Sequence, residues 1–171
     1  MTDQARAILE KRARELARPD TTTPESERRL SLLEFRLGPE AYAIEARHVR
    51  EVVPTNFLAP LPGVPPFILG IVSVRGLIWS VMDLRTFFNI PKRGISDHPR
   101  AILVEAGGLR WGILADSRLR MVYLDSLRPP PEVTERIPRN AVRGTTEDLA
   151  VVLDLEVLAR DPRMIVQEDL E

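Results

Sequence analysis

From Leu30 onward the apolar residues recur at every second position: Leu33, Phe35 and Leu37 alternate with Glu34 and Arg36. That period of two is the signature of a half-buried strand. Gly38-Pro39-Glu40 then turns the chain into Ala41-Tyr42-Ala43-Ile44, so the pattern predicts a strand hairpin. In EARHVREVV, Val49, Val52 and Val53 stand among Arg47, Arg50 and Glu51, which reads as a short helix running into a strand. Upstream the period is helical. DQARAILEKRARELARPD sets Ala5, Ile8, Leu9, Ala13 and Leu16 at three- and four-residue spacings, predicting an amphipathic helix that ends by Pro19. The polar, threonine-rich DTTTPESERR that follows reads as a linker, so the domain proper is expected to begin near Leu30.

Five prolines between Pro54 and Pro66 forbid a long helix and favour an extended, edge-like path. Next comes the most apolar stretch, IVSVRGLIWSVMDLR, with Arg75-Gly76 in its middle. Both flanks are β-rich, two residues separate them, and glycine takes the second place, where a tight hairpin needs positive φ. Arg75 therefore leaves the apolar layer at a turn tip, where its guanidinium can meet solvent, a neighbouring carboxylate or a partner. Asp83 is placed to cap a short helix beginning at Leu84. VVLDLEVLA, residues 151–159, repeats this order of strand, Asp-Leu and apolar helix, with Asp154 in the place of Asp83. Between the copies lie RAILVEA, a Gly107-Gly108 turn, LRWGILAD and MVYL, all short strands, then the stiff connector LRPPPE and AVRG leading into the final strand. Many short strands and one internal repeat predict two small barrels packed together. A lobe of roughly 60–70 residues buries too little surface alone, so the two must share an interface rich in Ile, Leu and Val.

Composition removes several functions. The 171 residues are 44% apolar, enough for a folded interior. Lys plus Arg number 24 and Asp plus Glu 25, which leaves no long-range field for nucleic acid or anionic lipid. With no cysteine, and His48 and His98 far apart, neither disulfide nor thiolate chemistry nor a zinc site is expected. Arg75, Asp83 and the prolines interrupt every stretch that could insert in a membrane, and the N-terminus has no signal-peptide core, so a cytoplasmic chain is expected.

Catalytic grammar is missing: there is no G-x-S-x-G, G-x-x-x-x-G-K-[ST] or G-x-G-x-x-G. His48-x-x-Glu51 is half of a metal pair without a second half. Asp83, Asp116 and Asp154 each follow an apolar strand, and a hydrolase would need them to converge in one cleft; capping and turn formation account for each more simply. Trp79 and Trp111 read as core or subunit-facing strand residues. No catalytic residue, metal or cofactor is expected.

GIVSVRGLIWSVMDLR resembles the Gly-Val-Ile-Asn-Leu-Arg-Gly-x-x-x-Pro-Val-x-Asp-Leu-Arg signature of CheW-like domains. FRLGPEAYAIEARHVREVV is similar to the family's opening hairpin and Val-x-Glu-Ile segment, and WGILADSRLRMVYL to its Gly-x-x-Val-Asp strand pair. SLRPPPE matches its Pro-rich connector and VVLDLEVLA its closing strand and helix. The resemblance divides the chain into a helical extension and linker (1–29), a CheW-like domain (30–160) and a tail (161–171). It implies a mainly β fold of two SH3-like five-stranded barrels sharing a hydrophobic core, with short helices. It also implies a non-catalytic adaptor at membrane-bound receptor arrays. Such an adaptor couples methyl-accepting chemoreceptor cytoplasmic tips to the regulatory domain of a CheA-type histidine kinase, without binding nucleic acid, and can self-associate into rings. Val49, Glu51, Gly70, Arg75, Gly76 and Met121 fall at positions the family uses for partner contact. Departures are Ser73 for Asn, Ser80 for Pro, Asn89 for Gly, and Arg118 and Arg120 where an acidic residue is common. These leave open a scaffold of a non-flagellar chemosensory pathway. The readings from other classes are a carboxylate hydrolase and a small-barrel nucleic-acid binder.

Overall fold

The computed structural model describes residues 3–16, 29–94, 98–131 and 136–164. Helix α1 (Asp3–Leu16) precedes the domain, as its spacing predicts; the linker expected after Pro19 lies outside the described residues. The strands are β1 (Leu30–Leu37), β2 (Glu40–Glu45), β3 (Val49–Pro54), β4 (Ile68–Val74), β5 (Leu77–Met82), β6 (Arg100–Ala106), β7 (Leu109–Ala115), β8 (Leu119–Leu124), β9 (Val142–Thr145) and β10 (Val151–Leu153). Two short helices, α2 (Leu84–Phe87) and α3 (Leu155–Ala159), follow β5 and β10. The expected hairpins are present, and a 3-10 turn, Ala46–His48, leads into β3.

The strands make two five-stranded sheets, β8-β1-β2-β10-β9 in the first lobe and β3-β6-β7-β5-β4 in the second. The internal repeat is real, and the two lobes are each assembled from both halves of the chain. Each repeat is a hairpin, three strands and a capped helix: β1 to α2, then β6 to α3. Each gives its hairpin to one lobe and its three strands to the other, so β1-β2 completes the sheet of β8, β9 and β10, and β6-β7 that of β3, β4 and β5. The short 3-10 turn between β2 and β3 carries the chain across, and the buried His48 fixes the crossing with Nδ1 3.0 Å from the Glu105 carbonyl of β6. Exchanged in this way, neither half of the chain can close a sheet without the other.

The backbone repeats in detail. Asp83 N donates to the Phe67 carbonyl and Asp154 N to the Ala141 carbonyl, both at 2.8 Å. Ala59 and Ile71 exchange two backbone hydrogen bonds at one lobe's margin, and Arg128 and Thr145 do the same at the other. The proline-rich segment meets β4 only at the bridge of Ala59 and Ile71 and turns at 56–57, 62–63 and 66–67 instead of running extended as expected, because its prolines give a sheet few donors; the triple-proline connector leads out of the counterpart bridge beside β9.

Alternation on the central strands feeds different cores. In β6, Ile102 and Val104 face the shared core while Ala101 and Leu103 pack inside the second lobe with Val72, Trp79 and Val81. In β1, Leu33, Phe35 and Leu37 face the shared core, whereas Leu32 joins Ala43, Ala150 and Val152 inside the first lobe. Strands buried on both faces read as continuous apolar runs, as RAILVEA and WGILA do. The shared core is much the largest, and α2 and α3 plug it with Leu84, Phe87, Leu155 and Leu158. Trp111 lies in this core and Trp79 inside the second lobe.

At the C-terminal side Arg163 grips Asp161 through Nε and Nη2 at 3.1 and 2.8 Å, donates from Nη1 to the Phe87 carbonyl at 2.9 Å and lies 3.9 Å over the Phe87 ring. Arg163 holds the Asp161 carboxyl below its ordinary range by these hydrogen bonds. The rest of the expected tail, 165–171, lies outside the described residues. Among the described residues no helix is long and apolar enough to cross a membrane.

Helix α1 leaves Ile8 and Leu9 exposed and gives the domain no described packing. A chain beginning at Arg29, which retains the Arg29 to Asp125 ion pair, is therefore expected to unfold cooperatively in urea with stability within about 1 kcal/mol of the parent. Global unfolding of that chain would overturn the assignment of all fold elements to the region after Arg29.

Candidate protein-docking surface

The Arg75-Gly76 turn is built as its spacing predicts, with a sharper demand on the arginine. Both residues have positive φ, 53° and 78°, the pattern of a type I′ hairpin turn that follows the strand twist. Arg75 is 82% exposed in its side chain, and its Nε donates to Glu51 Oε2 on β3 at 3.2 Å. That pair ties the hairpin tip to the edge strand β3, across the seam that β3 and β4 leave open at the two ends of their sheet. Beside it Leu77 and Ile78 are exposed, apolar residues at a position where the shared core cannot reach them.

Three of the six candidates, Glu51, Arg75 and Gly76, thus share one surface. Val49 begins the same strand but is half-buried and packs on the shared core. Gly70 is buried at the register shift of β4, against the Ala59 backbone, and offers no side chain to a partner. Met121 is exposed on β8, in the other lobe. The six therefore form one cluster, a supporting glycine and valine, and a separate point on the first lobe.

The first lobe carries a clasp of the same kind with its charges exchanged. Arg120 of the edge strand β8 donates to Asp148 Oδ2, in the turn between β9 and β10, at 2.9 Å, and to Glu34 Oε1 at 3.0 Å. The Asp148 and Glu34 carboxylates hold the Arg120 guanidinium above its ordinary value, Asp148 contributing most. Glu51 with Arg75 and Arg120 with Asp148 both join an edge strand to a hairpin tip, with opposite polarity. The departure noted at Arg120 is thus neutralised within its own lobe. Asp148 and Glu34 carry no local signal that would have paired them with Arg120, because Asp148 lies 28 residues away across the β8–β9 connection and Glu34 lies 86 residues away across two crossovers of the chain.

The carboxylates weighed for catalysis all serve the backbone. Asp83 is buried, caps α2 by accepting from Arg85 N at 2.9 Å, and receives Arg85 Nε and Nη2 at 3.1 and 3.0 Å. Asp154 caps α3 by accepting from Glu156 N and Val157 N at 3.1 and 3.2 Å. Asp116 N donates to the Arg36 carbonyl at 2.7 Å, and its Oδ1 accepts from Ser117 N at 2.8 Å. Burial pushes the Tyr42 phenol far above its ordinary value, with Glu40 and Asp83 adding and Arg85 opposing, so it stays protonated. His48 and Glu51 have separate partners, the Glu105 carbonyl and Arg75. Among the described residues no three His, Asp or Glu side chains gather as a metal site.

Comparison with known proteins bears on this architecture. The chain is 31% identical over 99 residues to protein FrzA of Myxococcus xanthus, covering 57% of this chain and 62% of that protein. It is 29% identical over 85 residues to the chemotaxis protein CheW of Bacillus subtilis, covering 50% and 54%. Each of these alignments spans less than two thirds of the relative. The crystal structure of the scaffolding protein TtCheW from Thermoanaerobacter tengcongensis superposes with a TM-score of 0.67 at 34% identity, over 76% of this chain and 87% of that one. That match bears out two SH3-like β lobes around a shared core. The CheW-like domain model matches residues 31–163, most of the chain, and with this the protein belongs to the CheW-like domain family.

Proposed function

We propose that the protein is a non-catalytic scaffold that couples the cytoplasmic tips of chemoreceptors to the regulatory domain of a CheA-type histidine kinase. It would do so in the cytoplasm, at membrane-bound receptor arrays, with no cofactor. The observation that carries this reading is the exposed clasp of Glu51 and Arg75, flanked by Leu77 and Ile78 on a rigid turn. A cation held at a hairpin apex beside apolar residues gives a helical receptor tip a hydrophobic seat and one directional bond. Contacts of this size are weak singly and suffice when many copies assemble together.

Co-sedimentation with a receptor cytoplasmic fragment and a CheA regulatory domain tests the reading. Arg75→Ala is expected to weaken assembly about 10-fold or more, the effect of losing a charge-assisted bond of about 1.5–3 kcal/mol. Its stability is expected to change by no more than about 0.5 kcal/mol, because the side chain is exposed and alanine meets the same positive-φ penalty as arginine. Val49→Asp would put a charge against the shared core and so confuse folding with binding. Ile78→Asp, at an exposed position beside the turn, is the cleaner companion. Assembly at parental affinity by both Arg75→Ala and Ile78→Asp would overturn the assigned surface.

A further inference from the structure

The two lobes exchange hairpins within one chain, and the joint that makes the exchange is small. The β1–β2 hairpin pairs with β8 and β10, from the far half of the sequence, and with no strand of the half that follows it directly. Its join to that half is the turn Ala46–His48. On either side of the turn the backbone is already extended, with φ and ψ of −65° and 129° at Glu45 and −76° and 126° at Val49. The bend therefore rests on three residues, and straightening them would run β2 into β3 as one strand. Glu45, Arg47, His48 and Arg50 hold it. The Glu45 side chain, 12% exposed, receives Arg47 from the turn and Arg143 from β9. Arg47 also lies 3.6 Å from Glu156 of α3. His48 Nδ1 donates to the Glu105 carbonyl of β6 at 3.0 Å, and Arg50 Nε to Glu105 Oε2 at 3.3 Å.

We propose that this bend is a latch that keeps the chain a closed monomer, and that on straightening it lets the β1–β2 hairpin complete the first lobe of a second copy of the same chain. The fold itself selects the occupant, because the hairpin's seat in the second copy is the seat it fills in its own: six register pairs with β8 and two with β10. Closed monomer and exchanged dimer share these pairs and the shared core, so the balance between them rests on the crossing. A short join gives the hairpin an effective concentration in the millimolar range, which favours closure. The bonds of the bend favour it further, since the straight form lacks them. The repeat already shows the exchange in one chain, with β6–β7 completing the lobe of β3, β4 and β5 as β1–β2 completes that of β8, β9 and β10.

Arg47 is the residue to change, since its side chain is 62% exposed and stands between two carboxylates, Glu45 and Glu156. Arg47→Glu sets like charges together at the bend and leaves the core untouched. In the straight form Arg47 leaves those carboxylates, so the repulsion weighs on the closed monomer alone.

The lack of cysteine in the chain permits a trap. Ser31 on β1 and Tyr123 on β8 are directly opposed, at the Cα separation a disulfide spans. Ser31→Cys with Tyr123→Cys therefore joins a chain to itself in the closed form and joins two chains in the exchanged dimer. The full-length chain is refolded from urea at high micromolar concentration with reductant, diluted to low micromolar and then oxidised. Arg47→Glu is expected to raise the disulfide-linked dimer at least about 10-fold over the unaltered crossing. Two glycines inserted after Ala46 in that variant let the chain turn back without strain and are expected to return it to monomer. Absence of linked dimer with Arg47→Glu would overturn the proposal. So would equal dimer from the lengthened crossing, or from chains carrying either cysteine alone, which would place the contact on outer surfaces. The exchanged dimer carries two Glu51–Arg75 clasps, and on the coupling function proposed above it should hold clustered receptor fragments about 10-fold more tightly than the monomer. A trapped dimer without that gain would leave the exchange standing and count against the coupling function.

Discussion

Asp83→Ala is expected to cost the fold about 3–5 kcal/mol, read as a fall in the urea midpoint at unchanged slope. Asp83 and Arg85 are 1% and 7% exposed, and the carboxylate receives three hydrogen bonds from the one arginine, two from the guanidinium and one from its backbone N–H. Removing the carboxylate uncaps α2 and leaves a buried guanidinium whose remaining partner is the Arg93 carbonyl at 3.4 Å. An uncompensated charge in the interior is far more expensive than a lost surface pair. The repeat supplies an internal control. Asp154 has the same place at the head of α3 but is followed by Glu156, so its carboxylate caps the helix and holds no buried cation. Asp154→Ala should cost only about 1 kcal/mol, the value of a cap. Asp83→Ser with Arg85→Met, which keeps a capping oxygen and removes the stranded charge, should recover more than half of the Asp83→Ala loss. Equal losses at Asp83 and Asp154 would show that the ion pair adds nothing beyond capping.

That contrast also marks where the sequence stops being legible. Both caps can be read from Asp-Leu before an apolar helix, because capping is decided within three residues. The hairpin at Arg75-Gly76 is equally local, being fixed by loop length and by a glycine in the second place. The burial of Arg85 is not local: it depends on α2 plugging the shared core, which no spacing in MDLRTFF announces. The exchange of hairpins between lobes is hidden for a similar reason. A strand's pattern tells which faces are buried but not which lobe it joins: β6 is buried on both faces, and β1 alternates with only Leu32 buried on its second face, so both runs are compatible with either lobe. At the candidate surface, resemblance brought Glu51 and Arg75 forward and the structure adds that they are bonded to each other. The mirrored clasp of Arg120 with Asp148 needed the fold, since its residues become neighbours only when β8 and the turn after β9 close the same lobe.

Gly70→Ala is expected to cost about 2–4 kcal/mol, combining the penalty of positive φ with overpacking. Gly70 has φ 159°, and a Cβ there would stand 2.5 Å from the Ala59 carbonyl oxygen and 2.9 Å from its carbon. Those are backbone atoms of the segment that exchanges two hydrogen bonds with Ile71, so the clash can be relieved only by loosening that bridge and the margin of the lobe. Gly76→Ala provides the comparison: its φ is 78°, but nothing lies within 4 Å of the added carbon, so the cost should stay near 1 kcal/mol. The equivalent residue of the repeat, Gly144, would place its Cβ 2.4 Å from the Arg128 carbonyl oxygen and should behave as Gly70 does. A glycine that acts through the backbone loses partner binding only as far as it loses structure. Gly70→Ala should therefore assemble normally at a temperature where circular dichroism shows it folded, while Arg75→Ala fails there. A Gly70→Ala chain as stable as the parent yet unable to assemble would make Gly70 a contact in its own right and overturn this account of its role.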